Sequence, residues 1–305
     1  MNNILTNIKN LELETIKNLK NSKSLNTLRA YQSDFNDFTS FCKKNGFQSM
    51  PTLPKIISLY LTELSKKSKF STLKRRLASI SILHKMKGHY IDIKHPIIME
   101  NLMGIKRVYG TNQKGKKPLL INDLKMLIDA IDKSFEKDFR KIRDKAILLI
   151  GFAGGFRRSE LVSIKNEDIE FVTEGVKIFV KRSKTDQSGE GMIKAIPYFN
   201  NDQFCPVIAL NKWINILDNT EKKIFNISDK SVSLILKKYA SKAGLDSRKY
   251  SGHSLRSGFA TSTAESGAEE RNIMAMTGHK STEMVRRYIK EANLFKNNAL
   301  NKIKL

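Results

Sequence analysis

The amino-acid sequence predicts a mainly α-helical protein with a small β-sheet. An all-α N-terminal domain at residues 1–108 precedes a mixed α/β C-terminal domain at residues 119–305. Three observations support this prediction. Apolar residues have helical spacing through the first domain, a basic segment without periodicity follows at residues 109–118, and short strand-like runs then lie between helices. A chain of 305 residues is long enough to bury a sizeable core in each domain.

The helices of the N-terminal domain are predicted from apolar residues that recur every three or four positions. These apolar stripes define helices at residues 25–47, 56–64 and 73–84. Pro51 and Pro54 separate the first two helices, and Pro96 begins a further helix after His95. We therefore expect this domain to be almost wholly helical.

The C-terminal domain is predicted to combine helices with three short strands. Helices are expected at residues 121–131, 138–151, 205–217, 232–243 and 255–266. Strands are expected at residues 169–171, 176–180 and 192–196. The longest nearly apolar run, residues 146–156, is too short to span a bilayer.

The charge of the chain indicates a polyanionic partner. Lysine and arginine outnumber aspartate and glutamate by 55 to 30, which gives a formal net charge of +25. Residues 1–118 hold 22 basic and 7 acidic side chains, so the excess is concentrated at the N-terminal end. Lys74, Arg75 and Arg76 lie opposite an apolar stripe. Such a run is usually a solvated face, and phosphate contacts are the better interpretation only if the rest of the chain binds DNA.

Cysteine usage and the N-terminal sequence favour a soluble cytoplasmic protein. Cys42 and Cys205 lie far apart and belong to no pair with metal-ligand spacing, so we expect reduced thiols. The first residues lack a long apolar stretch and run into Glu12 and Glu14, which argues against a signal peptide.

Five polar residues in the C-terminal domain stand at characteristic intervals. They are Arg157, His253, Arg256, His279 and Tyr288. Each is weak evidence alone: an arginine beside Glu160 is commonly a structural ion pair, and a lone histidine is commonly a core residue. The His-x-x-Arg spacing places its two side chains on one side of a helix start. Two arginines, two histidines and a tyrosine, without an acidic cluster, suit attack on a phosphodiester by the tyrosine.

The ordered set resembles the tyrosine recombinases, also called the phage integrase family. Arg157 matches the first arginine of the family and Glu160 its acidic neighbour. His253-Ser-Leu-Arg256 resembles the His-x-x-Arg box of the family, and Gly278-His279 its Gly-His motif. Tyr288, nine residues after the second histidine, matches the nucleophile, and these intervals are typical of the Xer-like members.

The resemblance covers residues 119–290 at the level of motifs, and residues 20–106 are more loosely similar to the helical core-binding (SAM-like) domain. Lys184, between two predicted strands, resembles the β-hairpin lysine of the family; Lys181, Arg182 and Lys194 lie nearby. Three flanking residues depart from the usual pattern. Phe156 and Arg158 stand where aliphatic residues are usual, and Thr277 stands where leucine is usual.

The resemblance implies a chemistry as well as a fold. The two arginines would bind the non-bridging phosphate oxygens, because a guanidinium is always charged and offers a fork of donors. The histidines would donate to the same oxygens, Tyr288 would attack, and Lys184 would protonate the 5′-hydroxyl that leaves. The product is a covalent 3′-phosphotyrosine, and neither a metal ion nor another cofactor is expected.

The resemblance also implies partners. We expect double-stranded DNA with inverted half-sites, a dimer on each site and a homotetramer on DNA, with a second recombinase or accessory factor as a further possibility and no membrane. Beyond Tyr288, apolar residues recur every three or four positions at Ala292, Phe295, Ala299 and Ile303. This apolar face packs either on its own domain or on a neighbouring protomer. The expected location is the cytoplasm, in association with DNA.

Other functions remain open at this point. A type IB topoisomerase uses similar chemistry without bringing two sites together, although its length and first domain differ. A non-catalytic DNA-binding protein of the same fold is a second alternative. A metal site built from His253, His279 and a cysteine is a third, and its spacing fits no common zinc pattern.

Overall fold

The computed structural model describes residues 22–111, 115–181, 190–217 and 222–292, with a few isolated positions outside these ranges. The chain divides into two compact units, residues 1–114 and residues 115–305. The division falls inside the basic segment that was predicted to link two domains. Each unit contains its own buried apolar cluster.

The described part of the first unit is helical, as predicted. Its helices are α1 (Leu25–Lys44), α2 (Pro54–Ser65), α3 (Phe70–Met86) and α4 (Pro96–Tyr109). Ser24 caps α1 by accepting a hydrogen bond from the N–H of Thr27. Prolines begin α2 and α4, where an N–H is not needed. Helix α1 ends three residues earlier than predicted, because Gly46 follows with a φ of 71° and turns the chain away.

The core of the first unit forms where the apolar stripes of these helices meet. Phe38 of α1, Ile57 and Leu61 of α2, and Leu73 and Ile80 of α3 are fully buried. Aromatic side chains contribute much of this packing. The first unit therefore has its own hydrophobic core, which explains why it forms a compact unit.

The second unit combines helices with one small sheet. Its helices are α5 (Ile121–Asp132), α6 (Asp138–Ala153), α7 (Arg158–Leu161), α8 (Pro206–Ile214), α9 (Asp229–Lys242), α10 (His253–Glu265), α11 (Glu270–Thr277) and α12 (Thr282–Ala292). Its strands are β1 (Ile169–Val172), β2 (Gly175–Val180) and β3 (Met192–Pro197). Each strand extends the predicted one by a single residue. Helix α9 begins earlier than predicted because Ser228 caps it, accepting from the N–H of Ser231.

The sheet is antiparallel, with β2 in the middle. Ile178 of β2 pairs with Ile169 of β1 and with Lys194 of β3. Alternate residues of β2 and β3 face the core, so Ile178, Lys194 and Ile196 are buried while their neighbours are exposed. The mainly α-helical fold class with a small sheet is confirmed.

Helix α6 forms the centre of the second unit. Its residues from Ala146 to Ala153 are all buried, which explains the apolar run in the sequence. No helix among the described residues is long and apolar enough to cross a membrane. Cys42 and Cys205 are buried free thiols, one in each unit.

Helix α10 is held in place by a close backbone approach. The N–H of Leu119 donates to the carbonyl of Ser254 at 2.9 Å. A Cβ atom at Gly258 would lie 1.9 Å from the carbonyl oxygen of Leu119, so only glycine allows this contact. The start of α10, where two of the candidate site residues lie, is thereby fixed against the segment that enters the unit.

Candidate active site

The structure brings together the five residues that the sequence singled out, although they come from separate segments. Arg157 is the N-cap of α7, His253 and Arg256 begin α10, His279 follows α11, and Tyr288 lies on α12. The Tyr288 hydroxyl is 3.5 Å from Nε2 of His253, and the rings of His279 and Tyr288 are 6.2 Å apart. Both arginines act electrostatically on both histidines.

Arg157 and its neighbour Arg158 differ in their partners: Arg157 acts electrostatically on Arg256 and on both histidines, whereas Arg158 acts on one of them, His253. The backbone N–H of Arg157 donates to Oε2 of Glu160 at 2.9 Å, and its guanidinium donates to Oε1 at 2.5 Å. Arg158 instead donates to Ser233 and pairs with Asp229. The Arg157 side chain is 17% exposed and that of Arg158 is 41% exposed. Glu160 therefore fixes the orientation of the Arg157 side chain.

Arg256 is a buried cation whose donors are only partly used. Its Nη1 donates to the carbonyl of Gly155 at 2.9 Å. Its Nε and Nη2 find no hydrogen-bond partner among the described residues. Burial, followed by the charge of Arg157, lowers the pKa of Arg256 to about 10. Because unpaired buried N–H groups are costly, the guanidinium is complementary to an anion that would complete its hydrogen bonds.

His253 is kept neutral beside the tyrosine. Burial lowers the pKa of His253, and the charges of Arg256 and Arg157 lower it further. Its Nε2 lies at the outer limit of hydrogen-bond distance from the Tyr288 hydroxyl. A neutral imidazole in this position can accept the proton that a phenol loses when it attacks.

Tyr288 is anchored by apolar packing. It belongs to a small buried cluster with Ala260, Ala264, Ile273 and Val285, which come from α10, α11 and α12. The tyrosine is 9% exposed. This packing fixes the face of α12 that carries the hydroxyl and turns it towards the start of α10.

His279 is placed by a glycine turn. Gly278 ends α11 with a φ of 63°, a left-handed conformation that favours glycine. The Nδ1 atom of His279 lies 2.7 Å from Oγ1 of Thr277. Burial lowers the pKa of His279 to about 4, and Arg256 and Arg157 add to the effect. The free protein therefore holds this ring neutral near pH 7.

Lys194 joins two turns of the site, although in the sequence it stood out only as one of several basic residues near Lys184. Its fully buried Nζ donates to the carbonyl of Gly154 at 2.8 Å and to the carbonyl of Met276. The ammonium also lies 4.8 Å from the ring centroid of Phe156. Gly154 precedes Arg157 and Met276 precedes His279, so one side chain links both turns. The alternation of β3, which places residue 194 on the core-facing side, was the signal for it.

The basic residues near the predicted hairpin have different outcomes in the structure. Lys184 lies in residues 182–189, outside the described part of the chain. Lys181, at the end of β2, pairs with Glu167 and Asp168. Within the described ranges, no group of three histidine, cysteine or acidic side chains converges as a metal site would require.

Comparison with known proteins identifies the family. Residues 117–294 match the phage integrase family. The "Integrase/recombinase xerD homolog" of Selenomonas ruminantium is 41% identical over 277 residues, which cover 86% of this chain and 80% of that relative.

Two solved structures share the fold. One is a XerH site-specific recombinase bound to a palindromic difH substrate in a post-cleavage complex. Its TM-score is 0.69 at 16% identity, with 94% of this chain and 84% of the other covered. The other is a lambda integrase (75–356) dimer bound to a COC′ core site. Its TM-score is 0.60 at 19% identity, with coverages of 96% and 98%.

The fold and the family match define an enzyme that recombines DNA. The chain belongs to the phage integrase family, and it is a tyrosine-type site-specific DNA recombinase. The resemblance first drawn from the residues is confirmed.

Lys194 should give the protein a measurable pH dependence of stability. Burial lowers the pKa of Lys194 to about 8, from 10.5 for an ordinary lysine. Between these values the unfolded chain binds one more proton than the folded chain, so the free energy of unfolding should rise with pH. Relative to Lys194→Met, the native chain should gain on the order of 3 kcal/mol from pH 8 to 10.5 in urea unfolding.

Lys177→Met provides the control, because Lys177 is an exposed lysine on β2. Its unfolding curve should follow that of the native chain across the same window. If the free energies of unfolding of the native chain and Lys194→Met change with pH in parallel, the lowered pKa of the buried Lys194 is contradicted.

Proposed function

We propose that this recombinase cleaves DNA by attack of Tyr288 on a phosphodiester, which forms a 3′-phosphotyrosine and releases a 5′-hydroxyl. The observation that carries the proposal is the buried Arg256, whose Nε and Nη2 lack partners among the described residues, close to a neutral His253 and a tyrosine. An arriving phosphodiester would supply the missing acceptors. A second DNA end then attacks the phosphotyrosine, which conserves the energy of the broken bond, so the reaction needs no nucleotide cofactor.

The two arginines form the proposed phosphate clamp. In-line attack places negative charge on the non-bridging oxygens, and fixed positive donors stabilise that charge without reorganisation. Arg157 is oriented by Glu160, and Arg256 is fixed by Gly155. Burial and then the repulsion from Arg157 lower the pKa of Arg256, and a bound phosphate would relieve that repulsion.

The two histidines take different proposed positions. His253 lies next to the Tyr288 hydroxyl and is the better placed of the two to accept its proton. The ring of His279 lies 6.2 Å from that of Tyr288 between centroids, and it would donate to a phosphate oxygen once it is protonated. Lys184 is proposed as the acid for the leaving 5′-hydroxyl, on the family resemblance alone.

Removal of the Tyr288 hydroxyl should abolish chemistry and preserve binding. Duplexes that bind the native chain are first selected from a random pool, and a nicked version then traps the covalent adduct. Tyr288→Phe should bind the selected DNA as tightly as the native chain and form no adduct, because only one oxygen is lost.

The matched control is Tyr198→Phe, which changes an exposed tyrosine of the same unit and should form normal adduct. Adduct in Tyr288→Phe would show that another residue is the nucleophile. Binding without adduct in the native chain would favour a non-catalytic DNA-binding protein of this fold.

The first unit is proposed to bind DNA through its positive charge. On α3, Lys74 is exposed and lies 5.3 Å from the ring centroid of Phe70. Arg75 and Arg76 are ion-paired with Asp34 and Asp37 of α1. The side chain of Arg76 is only 18% exposed, so part of this basic run also stabilises the helix packing.

Substitution should separate these two roles. Lys74→Gln should weaken binding at all sequences and reduce the slope of log affinity against log salt by about one, since one phosphate contact is lost. Arg76→Met should mainly lower the melting temperature of the first unit. Lys87→Gln is the control, because residue 87 lies thirteen positions along from residue 74 and so on a different face. An unchanged salt slope in Lys74→Gln would mean that this charge is only solvated.

Assembly on DNA is proposed to be tetrameric, with a dimer on each pair of inverted half-sites. The structural relatives are recombinases bound to DNA, one of them as a dimer.

The second unit carries an apolar groove of about 820 Å³, lined by residues that include Phe152, Phe204, Phe259 and Met276. We propose that the apolar tail of a neighbouring protomer occupies this groove. Head-to-tail contacts of this kind close into a ring when the rotation between protomers allows it. Because its substrate is DNA, the proposed location is the cytoplasm.

A chain ending at Ala292 tests the tail. It retains α12, so it should still bind a single half-site, but it should lose cooperative occupation of two half-sites and the pairing of sites. Mobility shifts with one and two half-sites measure both effects. If the shortened chain fills paired half-sites as cooperatively as the full chain and recombines them, the tail does not connect neighbouring protomers.

A further inference from the structure

The Thr277 hydroxyl occupies a buried position between two polar groups. Thr277 is fully buried at the end of α11. Its Oγ1 lies 2.6 Å from the carbonyl oxygen of Ile273 and 2.7 Å from Nδ1 of His279. Both distances are those of strong hydrogen bonds, so both contacts have to be satisfied by the protons available.

Proton counting assigns the direction of each bond. A carbonyl oxygen only accepts, and a threonine hydroxyl has one hydrogen to donate. The hydroxyl therefore donates to Ile273, and its lone pair faces Nδ1 of His279. If Nδ1 also carried a lone pair, two acceptors would face each other at 2.7 Å. Nδ1 must therefore carry a hydrogen and donate it to Thr277.

The free ring then has one defined tautomer. With its hydrogen on Nδ1, a neutral His279 has a bare lone pair on Nε2. Burial and the surrounding cations keep the ring neutral, with its pKa lowered to about 4. The charged or titratable groups around it are Arg157, Lys194, His253, Arg256 and Tyr288, together with Glu270, Arg271 and Arg286, which line the adjoining pocket.

We propose that Thr277 is a positioning residue that fixes the Nδ1–H tautomer of His279, so that the ring must take up a proton at Nε2 before it can donate to the scissile phosphate. This inference rests on the proposed function of the site. The proton comes from solvent and forms an imidazolium, with Nδ1–H still bonded to Thr277. An incoming phosphodiester favours this step because it brings negative charge to a pocket that contains several cations.

Thr277 departs from the sequence pattern that is usual in the family. Leucine is usual at this position, and leucine has no hydroxyl to orient the ring. A merely structural threonine at a helix end would donate to the carbonyl four residues back and do nothing more. The second contact, to Nδ1 of His279, is what distinguishes the positioning role.

Nitrogen-15 NMR of the histidine side chains tests the tautomer in the free protein. The His279 signals, assigned by their loss in His279→Gln, should show the hydrogen on Nδ1 in the native chain and in Thr277→Ser, which keeps the hydroxyl. In Thr277→Val, which keeps the shape, they should shift towards the Nε2–H form.

Thr261→Val is the matched control, because Thr261 is a buried threonine of α10 whose hydroxyl has no partner among the described residues. Its histidine spectrum should be that of the native chain. A native ring with its hydrogen on Nε2 would overturn the proposal, and so would an unchanged tautomer in Thr277→Val.

The pH profile of adduct formation tests the consequence. In the native chain and Thr277→Ser, the rate should fall as pH rises and the imidazolium of the DNA complex loses its proton. In Thr277→Val a neutral ring can donate from Nε2, so this dependence should flatten, and the rate at low pH should fall by roughly tenfold or more because the ring is less well held. Identical profiles for Thr277→Val and the native chain would refute the coupling.

The two experiments keep different failures apart. Absence of adduct in the native chain would refute the proposed function but would leave the tautomer measurable in the free protein. If the native chain forms adduct normally but its His279 carries the hydrogen on Nε2, the role of Thr277 is refuted and the proposed function is not.

Discussion

The buried guanidinium of Arg256 is the constraint on which the rest of the site depends. Its Nε and Nη2 donors have no partner among the described residues, and Arg157 and Lys194 place further positive charge nearby. Glu160 is the carboxylate that offsets this charge, and it is already bonded to Arg157. A pocket with this imbalance is unfavourable when empty and complementary to an anion. The same positive field, together with burial, lowers the pKa values of His253 and His279.

Such a charge cluster persists only if the surrounding structure is rigid. Helix α6, buried along most of its length, leads into the turn that carries Arg157. Leu119 crosses α10 at Gly258 and fixes the helix start that carries His253 and Arg256. Lys194 then bonds to the turns before Arg157 and before His279. Tertiary contacts between distant segments therefore set the geometry, and no single motif contains it.

The sequence was sufficient for the fold class and for the membership of the site, because both leave local patterns. Apolar spacing located the helices, and short strand-like runs between helices located the strands to within one residue. Helix ends were less well predicted, since they depend on details such as the Ser228 cap and the turn at Gly46. Arg75 and Arg76 appeared as a charged face, whereas their ion pairs with Asp34 and Asp37 depend on how α1 packs against α3.

Long-range contacts explain what the sequence could not supply. Lys194 was one of several lysines near the predicted hairpin, and only the packing of β3 against Gly154 and Met276 separates it from the others. Thr277 was visible as a departure from the family pattern, but its effect on His279 depends on two distances. Position in the motif favoured Arg157 over Arg158, but the different burial and partners of the two side chains depend on the folded chain.

The two histidines show how similar surroundings can support different proton chemistry. Both are neutral for the same reasons, burial and the neighbouring arginines. His253 faces the hydroxyl of Tyr288, so its neutral form is the useful one, because only a neutral imidazole can accept the phenolic proton. His279 has its Nδ1 bonded to Thr277, so its neutral form offers only a lone pair at Nε2. An arriving phosphate partly neutralises Arg157 and Arg256 and thereby favours protonation of His279, the ring that is proposed to donate to it. The ring that gains its proton from solvent can stabilise the phosphate, and the ring that remains neutral can serve the nucleophile.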